Sequence, residues 1–255
     1  MATLSKMIGA RPLAAALILV VVLAAATVAG LSRGSASAQA TEPQFTSEYM
    51  LKDCKFKSQG MNPYFVLEPG YRLELKGTED GEASRLVAAV LHQTEDVAVP
   101  GVGTVATRVL QERHTLGGTL VEISRNFFAI CKQTNDVYYF GEETDMYNED
   151  GSVTHEGSWR AGVDGAMPGI AMPGTFLLGS RYFQEVAPGV AMDRAEHPGQ
   201  GLQMDTAAGS FDHCVQVRET TPLEPGAEDF KMYCAGVGLV SDGFSELVKV
   251  VKPAH

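Results

Sequence analysis

Tyr71–His92, YRLELKGTEDGEASRLVAAVLH, is the stretch that decides the fold class. Tyr71, Leu73 and Leu75 alternate with Arg72, Glu74 and Lys76. A period of two places the apolar side chains on one face of a strand and the charged ones on the other. Asp80-Gly81 supplies the positive φ of a tight hairpin turn, and Arg85–His92 returns as a second strand with a more continuous apolar run. One dry face and one wet face is the pattern of antiparallel strands over a core.

The same grammar continues on both sides. Gly117-Gly118 reads as the next turn, and counting outward opposes Leu116 to Thr119, His114 to Val121 and Arg113 to Glu122, an opposite-charge pair. Asn126–Lys132 and Asp136–Gly141 are dense in aromatic and β-branched residues and join through Thr134-Asn135. Asn148–Gly151 marks another hairpin, and later strands fall at Ser210–Arg218, Glu228–Cys234, Gly238–Val240 and Glu246–Val251. Helical periodicity is confined to a short segment over Ser47–Lys55 and to Gln184–Arg194, which Pro188-Gly189 interrupts. The expectation is an all-β chain with minor α content. Residues 62–255 form a single domain of mostly antiparallel strands, a curved meander, sandwich or open barrel, after a polar leader at 41–61.

Charge narrows the function classes. The 255 residues carry 20 Lys and Arg against 31 Asp and Glu, and residues 1–40 hold three of the bases (Lys6, Arg11, Arg33) and no acid. Residues 41–255 therefore stand at −14. Such a surface excludes general nucleic-acid binding, which needs cations to displace counterions, and disfavours anionic lipid. Lys6 and Arg11, an apolar run from Leu13 to Gly30 and the exit Ala38-Gln39-Ala40 together read as a secretory signal cut after Ala40. The run is 18 residues long, so an uncleaved anchor at 13–30 is the rival and the one route to a membrane. The expected address is secreted or periplasmic.

Export puts Cys54, Cys131, Cys214 and Cys234 in an oxidising compartment, and an even count without CxxC spacing points to two disulfides. A hairpin turning between Glu224 and Pro225 sets Cys214 opposite Ala235, one step out of register with Cys234. Neighbouring strand positions face opposite sides, so Cys54 or Cys131 is the expected partner of each.

Four stretches carry a resemblance. Asn62–Gly70 (NPYFVLEPG) is similar to the opening motif NPYFPL-PG of a family of exported bacterial proteins of unknown function. Val137–Glu143 (VYYFGEE), Gly157–Pro173 (GSWRAGVDGAMPGIAMP), and Gly209–Cys214 (GSFDHC) with Tyr233–Val240 (YCAGVGLV) resemble it in the same order. Val66 departs from the pattern, as do Cys131 and Cys234, which implies a disulfide between those two that is private to this chain. The resemblance implies an exported β-rich domain and no catalytic residues.

Candidate chemistry centres on Gly157–Gly174, which has five Gly, two Pro and the single Trp. Loops held on a rigid scaffold concentrate binding residues, so Trp159, Asp164, Met167 and Met172 are the candidate ligand contacts. The plainer reading is a long connection with Trp159 folded back as a plug. Met167, Met172 and His197 form a candidate soft-ligand set for copper, alongside Met192 and Met204, although no Met-x-Met or His-x-His pair occurs. Glu142, Glu143, Asp145, Glu149 and Asp150 offer oxygen ligands for calcium, but Tyr147 and Asp150 occupy loop positions that a calcium loop gives to an oxygen ligand and a glycine. No nucleophile elbow, Ser-x-x-Lys, His-Glu-x-x-His or phosphate loop is present in a convincing context, so no catalytic residue is assigned. The reading is a non-catalytic exported domain that binds a small molecule or a protein. A metal-binding protein and a hydrolase without local motifs are the alternatives, and no cofactor is specified.

Overall fold

The computed structural model describes residues 44–253, so the expected signal segment lies outside the described residues. A single 3-10 turn at Leu51–Asp53 is all that remains of the helix expected over Ser47–Lys55. Two short strands, β1 (Phe56–Lys57) and β2 (Gly60–Asn62), lead to β3 (Phe65–Leu67). Five longer strands follow: β4 (Arg72–Glu79), β5 (Glu82–Val99), β6 (Gly103–Leu116), β7 (Thr119–Cys131) and β8 (Val137–Tyr147). Short ones come next, β9 (Val153–Thr154), β10 (Trp159–Arg160), β11 (Met167–Met172), β12 (Arg181–Phe183) and β13 (Glu185–Val186). The last five are β14 (Arg194–Thr206), β15 (Gly209–Thr220), β16 (Glu228–Cys234), β17 (Gly238–Asp242) and β18 (Ser245–Val251).

One antiparallel sheet runs in the order β12-β14-β15-β16-β17-β18-β4-β5-β6-β7-β8-β11-β13, with β1 added on β7, and β9 and β10 on β8. A separate hairpin pairs β2 with β3. The two ends of the order, β12 and β13, are separated in sequence by Gln184 alone. The sheet must therefore curl until its edges meet, although β12 and β13 share no ladder rung: an open barrel rather than a closed one. The Asp80-Gly81 turn opposes Glu79 to Glu82, with both turn residues at positive φ.

Registers differ from the expected ones at two hairpins. Across Gly117-Gly118 the register slips between His114 and Thr115, so His114 faces Glu122 and Arg113 faces Ile123. A bulge adds one unpaired residue and shifts everything beyond it. In the β15–β16 hairpin Thr220 pairs with Glu228, which centres the turn on Glu224 and places Cys214 directly opposite Cys234. These two form one disulfide and Cys54–Cys131 the other. The expected pairing of Cys54 or Cys131 with Cys214 or Cys234, and the private Cys131–Cys234 bridge, are thus corrected by half a step in one turn.

Residues 44–61 are part of the domain. Leu51 is buried, Thr46 bridges to Tyr182, and the Tyr49 hydroxyl donates to the Phe183 carbonyl at 2.6 Å. The Cys54 bridge pins this segment to β7. It tops a core of buried Leu, Val and Phe side chains, each contributing about 1.5–3 kcal/mol.

The inward face is not uniformly apolar. Ladder partners share a face, so Ala88, Glu112, Ser124 and Thr144 form one row, and Val90, Leu110, Asn126, Glu142 and Trp159 the next. Across the barrel Val217, Lys231, Asp242 and Ser245 form another. Lys231 is 2% exposed, with Nζ 2.8 Å from Glu219 and 3.8 Å from Asp242. Burial raises the Asp242 carboxyl to about 7 against the pull of Lys231, with Asp229 and Glu219 adding to the rise. One ammonium thus pairs with Glu219, and the second acid holds its proton up to about pH 7.

Candidate functional site

Gly157–Gly174 leaves the sheet and returns to the same strand. Trp159 and Arg160 pair with Glu142 and Gly141 of β8, and Gly169, Ile170 and Met172 pair lower on β8 with Tyr139, Tyr138 and Val137. Between them the chain makes a compact turn, held by Val163 N to Arg160 O at 3.1 Å and Gly162 N to Ala166 O at 2.8 Å. Asp164 and Gly165 form its tip at φ of 49° and 79°. Much of the glycine content has a packing cause. A Cβ at Gly162 would strike the Ala98 carbonyl, and one at Gly169 the backbone of Gln184. Asn62, from the first of the four resembling stretches, donates to the carbonyls of Met172 (3.1 Å) and Pro173 (3.2 Å) in the third.

A second turn faces the first. Ala187 and Ala191 bridge, and Val190 N donates to Ala187 O at 3.0 Å. Pro188-Gly189, which interrupts the helical periodicity of Gln184–Arg194, is the corner of this turn. Between the two turns lies a cavity of about 130 Å³. Ser158, Trp159, Arg160, Val163, Asp164 and Ala166 form one wall, and Ala187, Pro188 and Val190 the other. A second cavity, lined by Tyr64, Leu73, Glu112 and Tyr233 among others, measures about 30 Å³, roughly a water or two.

Trp159 is both a buried plug and part of a cavity wall. Its side chain is buried and packs edge-on against Tyr139 at 5.2 Å, as a plug does, while it also walls the larger cavity. Its indole N–H has no hydrogen-bond acceptor among the described residues. Arg160 is clamped by Glu95 at 2.9 Å and Glu143 at 3.0 Å, with its guanidinium 4.9 Å above the Phe127 ring. Asp164 is exposed at the tip and makes no hydrogen bond or ion pair among the described residues.

The other candidates are placed elsewhere. Met167 pairs with Val186 on β13, Met172 is fully buried against β8, and neither lines the cavity. His197 stacks on Phe176 at 3.8 Å, with Nδ1 3.1 Å from the Leu177 carbonyl and Nε2 2.8 Å from the Tyr182 hydroxyl. Both ring nitrogens are engaged inside the protein, and burial pushes its pKa down to about 4. The acidic run divides between faces: Glu142 is buried, Glu143 holds Arg160, and Asp145 meets Arg125 and His155. Among the described residues no group of three or more His, Cys, Asp or Glu side chains could hold a metal ion.

One constellation escapes sequence inspection altogether. Ser84 Oγ lies 2.9 Å and Glu79 Oε2 3.3 Å from His114 Nε2. A serine nucleophile relay needs the acid on the opposite ring nitrogen, where it orients the base. Here serine and acid share one nitrogen, Nδ1 has no partner among the described residues, and neither cavity reaches the three residues. They form a polar pin between the β4–β5 hairpin and β6.

The chain matches no protein-family model, no curated protein and no solved structure. No described helix is long and apolar enough to cross a membrane.

Proposed function

We propose that this is an exported, non-catalytic β domain, secreted or periplasmic, that binds a small molecule in the cavity beneath the Gly157–Gly174 loop. The observation that carries the reading is the cavity itself, about 130 Å³, placed where two tight turns meet and walled by the single Trp. An engineered apolar cavity of about 150 Å³ binds benzene, so this volume suits a ligand of a single ring or a short branched chain. The two disulfides and the signal-like residues 1–40 support export, and the four motif stretches support a place among the exported proteins they resemble.

Because Trp159 is the only Trp, selectively excited indole emission comes from one residue on the cavity wall. Titration with isobutanol and with phenol is expected to shift or quench the emission saturably. Ala187→Leu, which fills the opposite wall, is expected to remove that response. A linear, non-saturating response in both proteins would contradict the proposal.

A further inference from the structure

The charges on the cavity wall are unequally served. Arg160 is the only cation among the lining residues, and Glu95 and Glu143 both hold it by short ion pairs. Asp164 is the only carboxylate among them, and no cation among the described residues holds it. The wall therefore presents one uncompensated negative charge beside an indole and a set of small apolar side chains, Val163, Ala166, Ala187, Pro188 and Val190. An aromatic ring and a carboxylate are the two groups that attract an ammonium, the ring through its quadrupole and the acid through its charge. Residues 41–255, at −14, add a long-range field of the same sign that concentrates cations around the molecule.

We infer that the cavity selects a small organic amine, bound as its ammonium with the nitrogen toward Asp164 and a short apolar body between Trp159 and the Ala187–Val190 turn. The inference rests on the proposed function, because it names the ligand class of the same cavity. A metal cation is a poor occupant: Asp164 is the lone carboxylate on the wall, whereas calcium takes six to eight oxygens. A carboxylic acid is a poor occupant for the opposite reason. The cationic partner it would need is already engaged by Glu95 and Glu143.

Isobutylamine, isobutanol and isobutyrate differ chiefly in charge, and titrating each against Trp159 fluorescence at pH 7 tests the inference. Isobutylamine is expected to bind at least about tenfold more tightly than isobutanol, and isobutyrate more weakly than either. Asp164→Asn retains a residue type that tolerates the positive φ of this turn, and it is expected to bring the amine down to the affinity of the alcohol. Equal binding of amine and alcohol, tightest binding of isobutyrate, or an amine preference that survives in Asp164→Asn would overturn the inference while leaving the cavity a ligand site. No saturable response to any of the three would overturn both.

Discussion

Lys231 on β16 and Arg160 on β10 each face two carboxylates, yet the first is sealed in the core and the second stands on the wall of a cavity. Around Lys231 the charge is met inside the core. Glu219 takes the charge, Gln184 donates to its other oxygen at 2.9 Å, and burial raises the Asp242 carboxyl to about 7. Around Arg160 the clamp is also complete, but the neighbouring Asp164 has no partner among the described residues. Burial forces the core cluster to balance itself, since an unpaired internal charge costs several kcal/mol. The solvated rim of the cavity has no such requirement, so a leftover charge there is free to serve recognition.

Removing the core cation should break the contrast most sharply. Lys231→Met leaves Glu219 buried without its ammonium, and a loss of about 3–5 kcal/mol is expected in denaturant unfolding. A loss below 1 kcal/mol would mean the cluster is wetter than its burial implies. Asp242→Asn tests the raised carboxyl beside that pair. The unfolded carboxyl ionises near 4 and the folded one near 7, so unfolding releases a proton between those values. Wild-type stability relative to Asp242→Asn should therefore fall as pH rises from 4 to 7, by up to about 1.4 kcal/mol per unit. A difference that stays flat with pH, or grows, would contradict the assignment.

Effects at the cavity should be smaller. Arg160→Met gives up two partly exposed ion pairs and a ring contact, for about 1 kcal/mol of stability. Asp164→Asn should change stability by less than about 0.5 kcal/mol, because the side chain is exposed and has no partner among the described residues to lose. A larger loss would show that Asp164 supports the turn rather than a ligand.

Strand positions and the Asp80-Gly81 turn were legible because they depend on local alternation and turn chemistry. The disulfide pairing was not, since it hung on whether one turn centres on Glu224 or a half-step beyond. The bulge that sets His114 against Glu122 leaves no mark in the local pattern either. Of the ligand candidates, Trp159 and Asp164 reach the cavity, and Met167 and Met172 serve the sheet. The opposite wall, Ala187–Val190, carried only the Pro188-Gly189 break as a signal. The pairing of Arg160 with Glu95 spans a sequence distance that no local pattern encodes.

A crystal of the protein soaked in isobutylamine would show the ligand in place. Ordered density is expected between Trp159 and Pro188, with the amine nitrogen within hydrogen-bonding distance of Asp164. A cavity that stays empty at saturating amine, with density only at the Glu79–His114 pin or on the outer surface, would contradict it.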